Sequence, residues 1–270
     1  AVARQSDVIV AALGESSEMS GESSCRTDLG IPDVQQKLLK ALVATGKPIV
    51  LVLFNGRPMT LNWEADNVPA ILDVWFGGSE TADALADVLF GDVNPSGKLT
   101  MSFPKNVGQV PLYYAAKHTG RPLHEGRWFE KFRSNYLDVD NDPLYPFGYG
   151  LSYTTFEYSP VSISATEVAQ GGSLTAEVTV RNTGKYAGKE VVQMYLQDVV
   201  GTTTRPVREL KGFEKISLEP GESRIVTFEI TPELMSHYNS ALEFVAEPGE
   251  FIVSVGPDSR TKNSASFILK

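Results

Sequence analysis

The sequence predicts two domains of different class, a three-layer, mostly parallel α/β sandwich that is incomplete at its N-terminus and then a β-sandwich. Two patterns carry this expectation. In the first half, short continuous apolar runs such as DVIVAAL (7–13) and PIVLVLF (48–54) alternate with helical patterns, as strands buried on both faces of a parallel sheet do. Beyond Tyr158 apolar residues recur at every second position, the period of a strand with one face on a core. A chain of 270 residues, 42% hydrophobic and 21% charged, has the length for two medium cores.

The elements follow in order. The run 7–13 ends at Gly14 and opens an acidic, serine-rich loop, GESSEMSGESSCR (14–26). Pro32 and Asp33 start a helix in which Val34, Leu38, Leu39, Leu42 and Val43 share one face, and Gly46 with Pro48 stops it. PIVLVLFNG is a second buried strand and AILDVWF (70–76) a third, after which Ser79 caps a helix over ETADALADVLFG that ends at Gly91. KLTMSF (98–103) reads as a fourth strand. Between 104 and 157 periodicity gives way to Tyr, Phe, Trp, Gly and Pro, a wrapping segment too aromatic to be disordered. It closes the α/β domain, 1–157. In the second domain, 158–270, LTAEVTV (174–180), VVQMYL (191–196), SRIVTFEI (223–230) and GEFIVSVG (249–256) are strands separated by turns such as NTGKYAGK, EPGES and AEPGE. That makes it a fibronectin type III-like β-sandwich.

Composition excludes several functions. With 33 acidic against 24 basic residues and a net charge of −9, the chain offers a polyanion little attraction, so nucleic acid is not an expected partner. The longest clean apolar run, 48–54, is one strand long, and no membrane insertion is expected. The single cysteine, Cys25, has no internal disulfide partner, which suits a reduced compartment or an envelope protein built without bridges. The chain enters a buried strand almost at once, without a basic leader or cleavage site, and so reads as part of a longer protein.

Most chemical motifs fail on inspection. GDVNPSGKL (91–99) has the wrong spacing for a phosphate loop, with Leu99 where a hydroxyl should hold magnesium, and reads as a helix-to-strand turn. GESSE (14–18) lacks the final glycine of a nucleophile elbow. His118, His124 and His237 are scattered, so neither a metal nor another cofactor is expected. The carboxylates of the 14–26 loop remain. A loop leaving the C-terminal end of a parallel strand faces the crevice where open α/β sheets bind ligands, and Glu15, Glu18 and Glu22 all sit there with Arg26 and Asp28 close behind. On composition alone these are solvated loop charges.

Five stretches together change that balance: SGESSCRTDLGIPDVQQKLLKAL, KPIVLVLFNGRPM, VWFGGSETADALADVLFGDVNPSGKLTMSFP, YPFGYGLSYTTF and RPVRELKGFEKISLEPGES. They resemble glycoside hydrolase family 3, most of all its bacterial periplasmic β-glucosidases. The resemblance implies a retaining glycosidase whose nucleophilic aspartate lies on an N-terminal (β/α)₈ barrel, which this chain does not contain. It implies an acid/base glutamate on the α/β sandwich; Ser20-Gly21-Glu22 matches the family's Gly-Glu pair best, with Glu15 and Glu18 as alternatives. In such a pair one carboxyl attacks the anomeric carbon while the other protonates the departing oxygen and later activates water. β-Linked glucosides or oligosaccharides are the implied substrates, the barrel the implied partner, and the periplasm or exterior the implied location. Arg26 then either orients Glu22 or reaches a sugar hydroxyl, or it pairs with Asp28 and braces the loop. Trp128 and Tyr113, with Tyr114, are candidate sugar-stacking residues that packing between domains would equally explain, while Trp75 falls in a predicted strand and reads as core. The alternative reading is a carbohydrate-binding or scaffold module without catalysis.

Overall fold

The computed structural model describes residues 2–124 and 126–270, and they group into two compact units. The first takes the chain up to residue 90 together with 102–112 and 141–145; the second takes 91–101, 113–140 and 146–270.

In the first unit a short helical turn, α1 (Val2–Gln5), precedes β1 (Ile9–Gly14), α2 (Asp33–Val43), β2 (Ile49–Phe54), α3 (Asn62–Asn67), β3 (Ala70–Asp73) and α4 (Thr81–Phe90). The strands are parallel in the order β1-β2-β3, with Ile9 opposite Ile49 and Val50 opposite Ala70. Central β2 has neighbours on both sides, and Leu51, Val52 and Leu53 are almost wholly buried. That is why its sequence is apolar throughout rather than alternating. Helix α2 packs on β1 with Leu39 fully buried, while Val34 and Leu38, expected on the same inner face, are exposed.

Two predicted strands differ from what forms. The third stops at Asp73 rather than running to Phe76, because Val74 still bonds Leu53 O at 2.9 Å but Trp75 adopts φ +52°, outside strand geometry. The segment 98–103 is not a strand. In the second unit Leu99 N donates to Tyr149 O (2.8 Å), and in the first Phe103 N donates to Tyr145 O (2.8 Å). The segment passes from one unit to the other and makes local pairings in each, so no ladder extends along it. Phe103, 1% exposed, meets Trp75 edge-to-face at 5.7 Å.

The second unit carries β4 (Phe156–Tyr158), β5 (Ser162–Ile163), β6 (Glu167–Val168), β7 (Leu174–Asn182), β8 (Gly188–Asp198), β9 (Glu209–Leu218), β10 (Ser223–Ile230), α5 (Pro232–Met235), β11 (His237–Tyr238), β12 (Phe244–Val245), β13 (Gly249–Gly256) and β14 (Ser264–Leu269). One sheet runs β10-β7-β4 with β5 also on β7; the other runs β6-β14-β13-β8-β9. The inward residues of β7 (Leu174, Ala176, Val178 and Val180) pack with Val192, Met194, Val226, Phe251, Val253 and Phe267 into one core, the arrangement of a sandwich. The rings of Phe251 and Phe267 stack at 5.5 Å.

Candidate functional site

The three parallel strands end at Gly14, Phe54 and Asp73, so the segments 15–32, 55–61 and 74–80 leave from the same carboxyl edge. Gly14 makes the first departure possible: it holds φ +136°, and an added Cβ would run into the Phe54 carbonyl oxygen. Gln35 of α2 grips both its polar groups, accepting from Gly14 N (2.7 Å) and donating to Gly14 O (2.9 Å). The start of the acidic loop is thereby fixed.

Glu15, the next residue, turns inward. Its side chain is fully buried, and Oε1 lies 3.0 Å from Arg26 Nη1 and 3.0 Å from Arg57 Nε. Oε2 accepts from Gly56 N at 3.0 Å. Arg26 also donates to Gly30 O (3.1 Å), whereas Asp28 accepts from Gly30 N (2.8 Å). Arg26 therefore pairs with Glu15, neither with Asp28 nor with Glu22.

The middle of the loop is short and strained. A 3₁₀ turn covers Ser17–Met19, Gly21 takes φ +140° and Ser23 φ +62°, and Ser24 N closes back on Gly21 O at 3.2 Å. Glu22 stands at the tip of this turn, exposed to solvent. Glu18 is also exposed, with Ser17 Oγ donating to it at 3.4 Å. Arg57 Nη2 donates to Met19 O (2.5 Å) and to Ser24 O (3.1 Å), one carbonyl on each side of the tip. Of the three glutamates, one is locked into the floor of the loop and two are presented on it.

Sequence reasoning missed the supporting residues. Asn55 is completely buried and donates from Nδ2 to Arg57 O at 2.9 Å. Asp73, last residue of β3, carries a partly buried carboxyl beside Asn55, and neither of its oxygens has a hydrogen bond of good geometry among the described residues. Burial pushes it up to about 6, and the neighbouring Asn55 side chain offsets only part of that rise. The available signal was position: NGR directly follows a continuous apolar strand, at the edge where ligands bind.

The aromatic candidates lie in the second unit, apart from Trp75. Tyr113 and Trp128 are exposed, Trp128 beside Phe129 at 6.1 Å. Tyr114 is occupied, stacking on Phe147 at 4.1 Å and accepting from Leu210 N at 3.3 Å. Trp75, half-buried against Phe103, follows β3 rather than lying within it. Among the described residues no group of three His, Cys, Asp or Glu side chains is arranged to hold a metal. His124 pairs with Glu130 (2.8 Å), while His237 is buried between Asp198 (3.9 Å) and Glu247 (3.8 Å).

Comparison with known proteins adds to this geometry. Residues 1–153 match the model of the glycosyl hydrolase family 3 C-terminal domain, and residues 190–259 that of the fibronectin type III-like domain. The periplasmic β-glucosidase of Salmonella typhimurium is 52% identical over 267 residues, an alignment covering 99% of this chain and 35% of that protein. A β-xylosidase of Formosa agariphila is 45% identical over 258 residues, covering 96% and 35%. Among solved structures, the β-glucosidase of Listeria innocua in complex with glucose superimposes with a TM-score of 0.92 at 46% identity, covering 97% of this chain and 36% of that one. The chain spans about a third of the length of the curated relatives it matches.

Proposed function

The chain belongs to glycosyl hydrolase family 3, as its C-terminal domain with a fibronectin type III-like domain behind it, and we propose that it is the C-terminal part of a retaining β-glucosidase to which it contributes Glu22 as general acid/base. The nucleophilic carboxylate belongs to a barrel outside this chain. In the first step that carboxylate attacks the anomeric carbon, while Glu22 gives its proton to the departing glycosidic oxygen. In the second, Glu22 takes a proton from water as the water oxygen attacks the anomeric carbon and breaks its bond to the nucleophilic carboxylate, which releases the sugar with retained configuration.

One observation favours Glu22 over Glu15: Glu22 is exposed at the tip of a turn on the carboxyl edge of the sheet, whereas Glu15 spends its carboxylate on Arg26, Arg57 and Gly56 N; Glu18 is exposed as well, and the match of Gly21-Glu22 to the family's Gly-Glu pair favours Glu22 over it. A proton donor that must reach across to a sugar between two domains needs the first environment; the second holds a carboxylate still. Arg26 supports the loop through Glu15 and has no part in proton transfer. Glucose is favoured by the Salmonella and Listeria relatives, and the Formosa β-xylosidase makes xylosides the comparison substrate.

The test is Glu22→Gln in the complete enzyme. Aryl glucosides with activated leaving groups need little protonation, so their first step should survive while cellobiose hydrolysis falls on the order of 10²–10⁴-fold, the usual worth of a positioned acid. Equal losses on both substrates would move the role to Glu18. Turnover of an aryl β-glucoside by this chain without a barrel would overturn the division of the two carboxylates.

A further inference from the structure

We infer that Arg57 is a positioning residue for the acid/base loop, its guanidinium tying both ends of the turn that carries Glu22 to the carboxyl edge of the sheet. This rests on the assignment of Glu22 above. Arg57 reaches Met19 O on one side of the tip (2.5 Å) and Ser24 O on the other (3.1 Å), while its Nε forms the ion pair with Glu15 at 3.0 Å. A planar fork with five donors can serve three such acceptors at once; an ammonium cannot hold the same directions.

The base of the clamp is itself fixed. Asn55, fully buried, donates to Arg57 O (2.9 Å), and Gly56 N donates to Glu15 Oε2 (3.0 Å). Gly56 also leaves room for the loop, since an added Cβ would strike Ser20 Oγ and the Phe76 ring. Met19 and Ser24 are thus seated on Arg57, 38 and 33 residues away along the chain.

The physical need is entropic. The stretch MSGESS is rich in Gly and Ser, and each backbone residue held in one conformation costs about 1–2 kcal/mol. Two charge-assisted hydrogen bonds to the flanking carbonyls offset part of that cost for a turn whose tip stands free. A catalytic carboxyl misplaced by about 1 Å can lose on the order of 10²-fold in rate. Arg57 directs its guanidinium to two loop carbonyls and Glu15, so its effect is on where Glu22 stands.

The experiment compares Arg57→Lys, Arg57→Ala/Glu15→Gln and Glu22→Gln in the complete enzyme. The double variant removes the ion pair without leaving Glu15 as a buried unpaired charge, and so guards against a simple folding failure. For both Arg57 variants kcat/KM on cellobiose should fall on the order of 10–100-fold and that on an activated aryl glucoside much less, with KM little changed. Amide exchange in peptides covering 16–26 should rise, and that of β2 should not. Equal losses on the two substrates, or unchanged exchange in 16–26, would overturn the clamp. If Glu22→Gln itself shows no dependence on the leaving group, the acid/base assignment fails instead, and the exchange measurement still decides whether Arg57 orders the loop.

Discussion

The buried carboxylate of Glu15 and the guanidinium of Arg57 lie 3.0 Å apart, and Arg26 approaches the same oxygen at 3.0 Å. Removing the carboxylate leaves two cations, about four-fifths buried, facing each other. Glu15→Ala should therefore destabilise the first unit by about 3 kcal/mol, the lower end for breaking a buried pair because both guanidiniums keep some solvent. Glu22→Ala, on the same loop but exposed, should stay within about 0.5 kcal/mol of the parent. Urea unfolding followed by Trp fluorescence separates the two; equal effects would contradict the division between a bracing and a presented glutamate.

This division was only half legible in the sequence. The buried strands at 9–14 and 49–54 and the alternating strand at 223–230 announce themselves, because continuous or alternate apolar residues are what their burial demands. Strand β9 is hidden: ELKGFEKISL mixes charge with Gly212, Phe213 is exposed, and its pairing with β8 shifts register at Met194/Tyr195. The 98–103 segment misleads because its alternation is real while its two ends belong to different units. At the site, the Gly-Glu pairs point to the loop, but composition cannot say which carboxylate turns inward. Glu15 does so through Arg57, 42 residues later, and no local spacing encodes that pairing.

The Asp73 carboxyl should make the first unit lose stability as pH rises. Burial, chiefly, lifts it from an ordinary value of 3.8 to about 6. An acid raised on folding is protonated in both states below 3.8, where its full contribution to stability is present; the contribution is lost as pH rises through about 6. A shift of about 2 units corresponds to about 3 kcal/mol, reduced here to roughly 1–2 kcal/mol by the solvent that still reaches the group. Asp73→Asn should accordingly be more stable than the parent at pH 7.5 by that amount and indistinguishable from it near pH 3.5. Melting curves across the range check this, and a constant difference at all pH values would assign the effect to packing.

Gly14→Ala should be among the most damaging single substitutions in the first unit. The residue holds φ +136°, its missing Cβ position is filled by the Phe54 carbonyl, and Gln35 bonds both its backbone groups. The β1–β2 pair can relieve the clash only by separating where Glu15 N donates to Phe54 O at 2.7 Å, so a loss of about 3 kcal/mol or more is expected. Gly46→Ala is the control: its φ of +73° carries the backbone penalty, but nothing lies within 4 Å of its added Cβ. It should cost about 1 kcal/mol. Thermal midpoints of the two variants measure the steric part by difference.

In the second unit Asn182 uses its whole hydrogen-bonding capacity while completely buried. Nδ2 donates to Tyr186 O (2.8 Å) and Leu218 O (3.0 Å), and Oδ1 accepts from Thr154 Oγ1 (2.7 Å) and Gly184 N (3.1 Å). Asn182→Ala should cost about 3 kcal/mol, since it strands the buried Leu218 O and Thr154 Oγ1 at about 1–3 kcal/mol each. Asn182→Asp keeps the shape but turns an acceptor toward the two carbonyl oxygens, and ionisation adds a buried charge. The Asp variant should consequently be less stable than the Ala variant at pH 7.5, and the gap should narrow toward pH 4 as the carboxyl protonates and regains a donor. Denaturant midpoints at the two pH values test the order; an Asp variant as stable as the parent at pH 7.5 would mean that the two donated bonds contribute nothing, and that shape alone holds the 182–186 turn to β9.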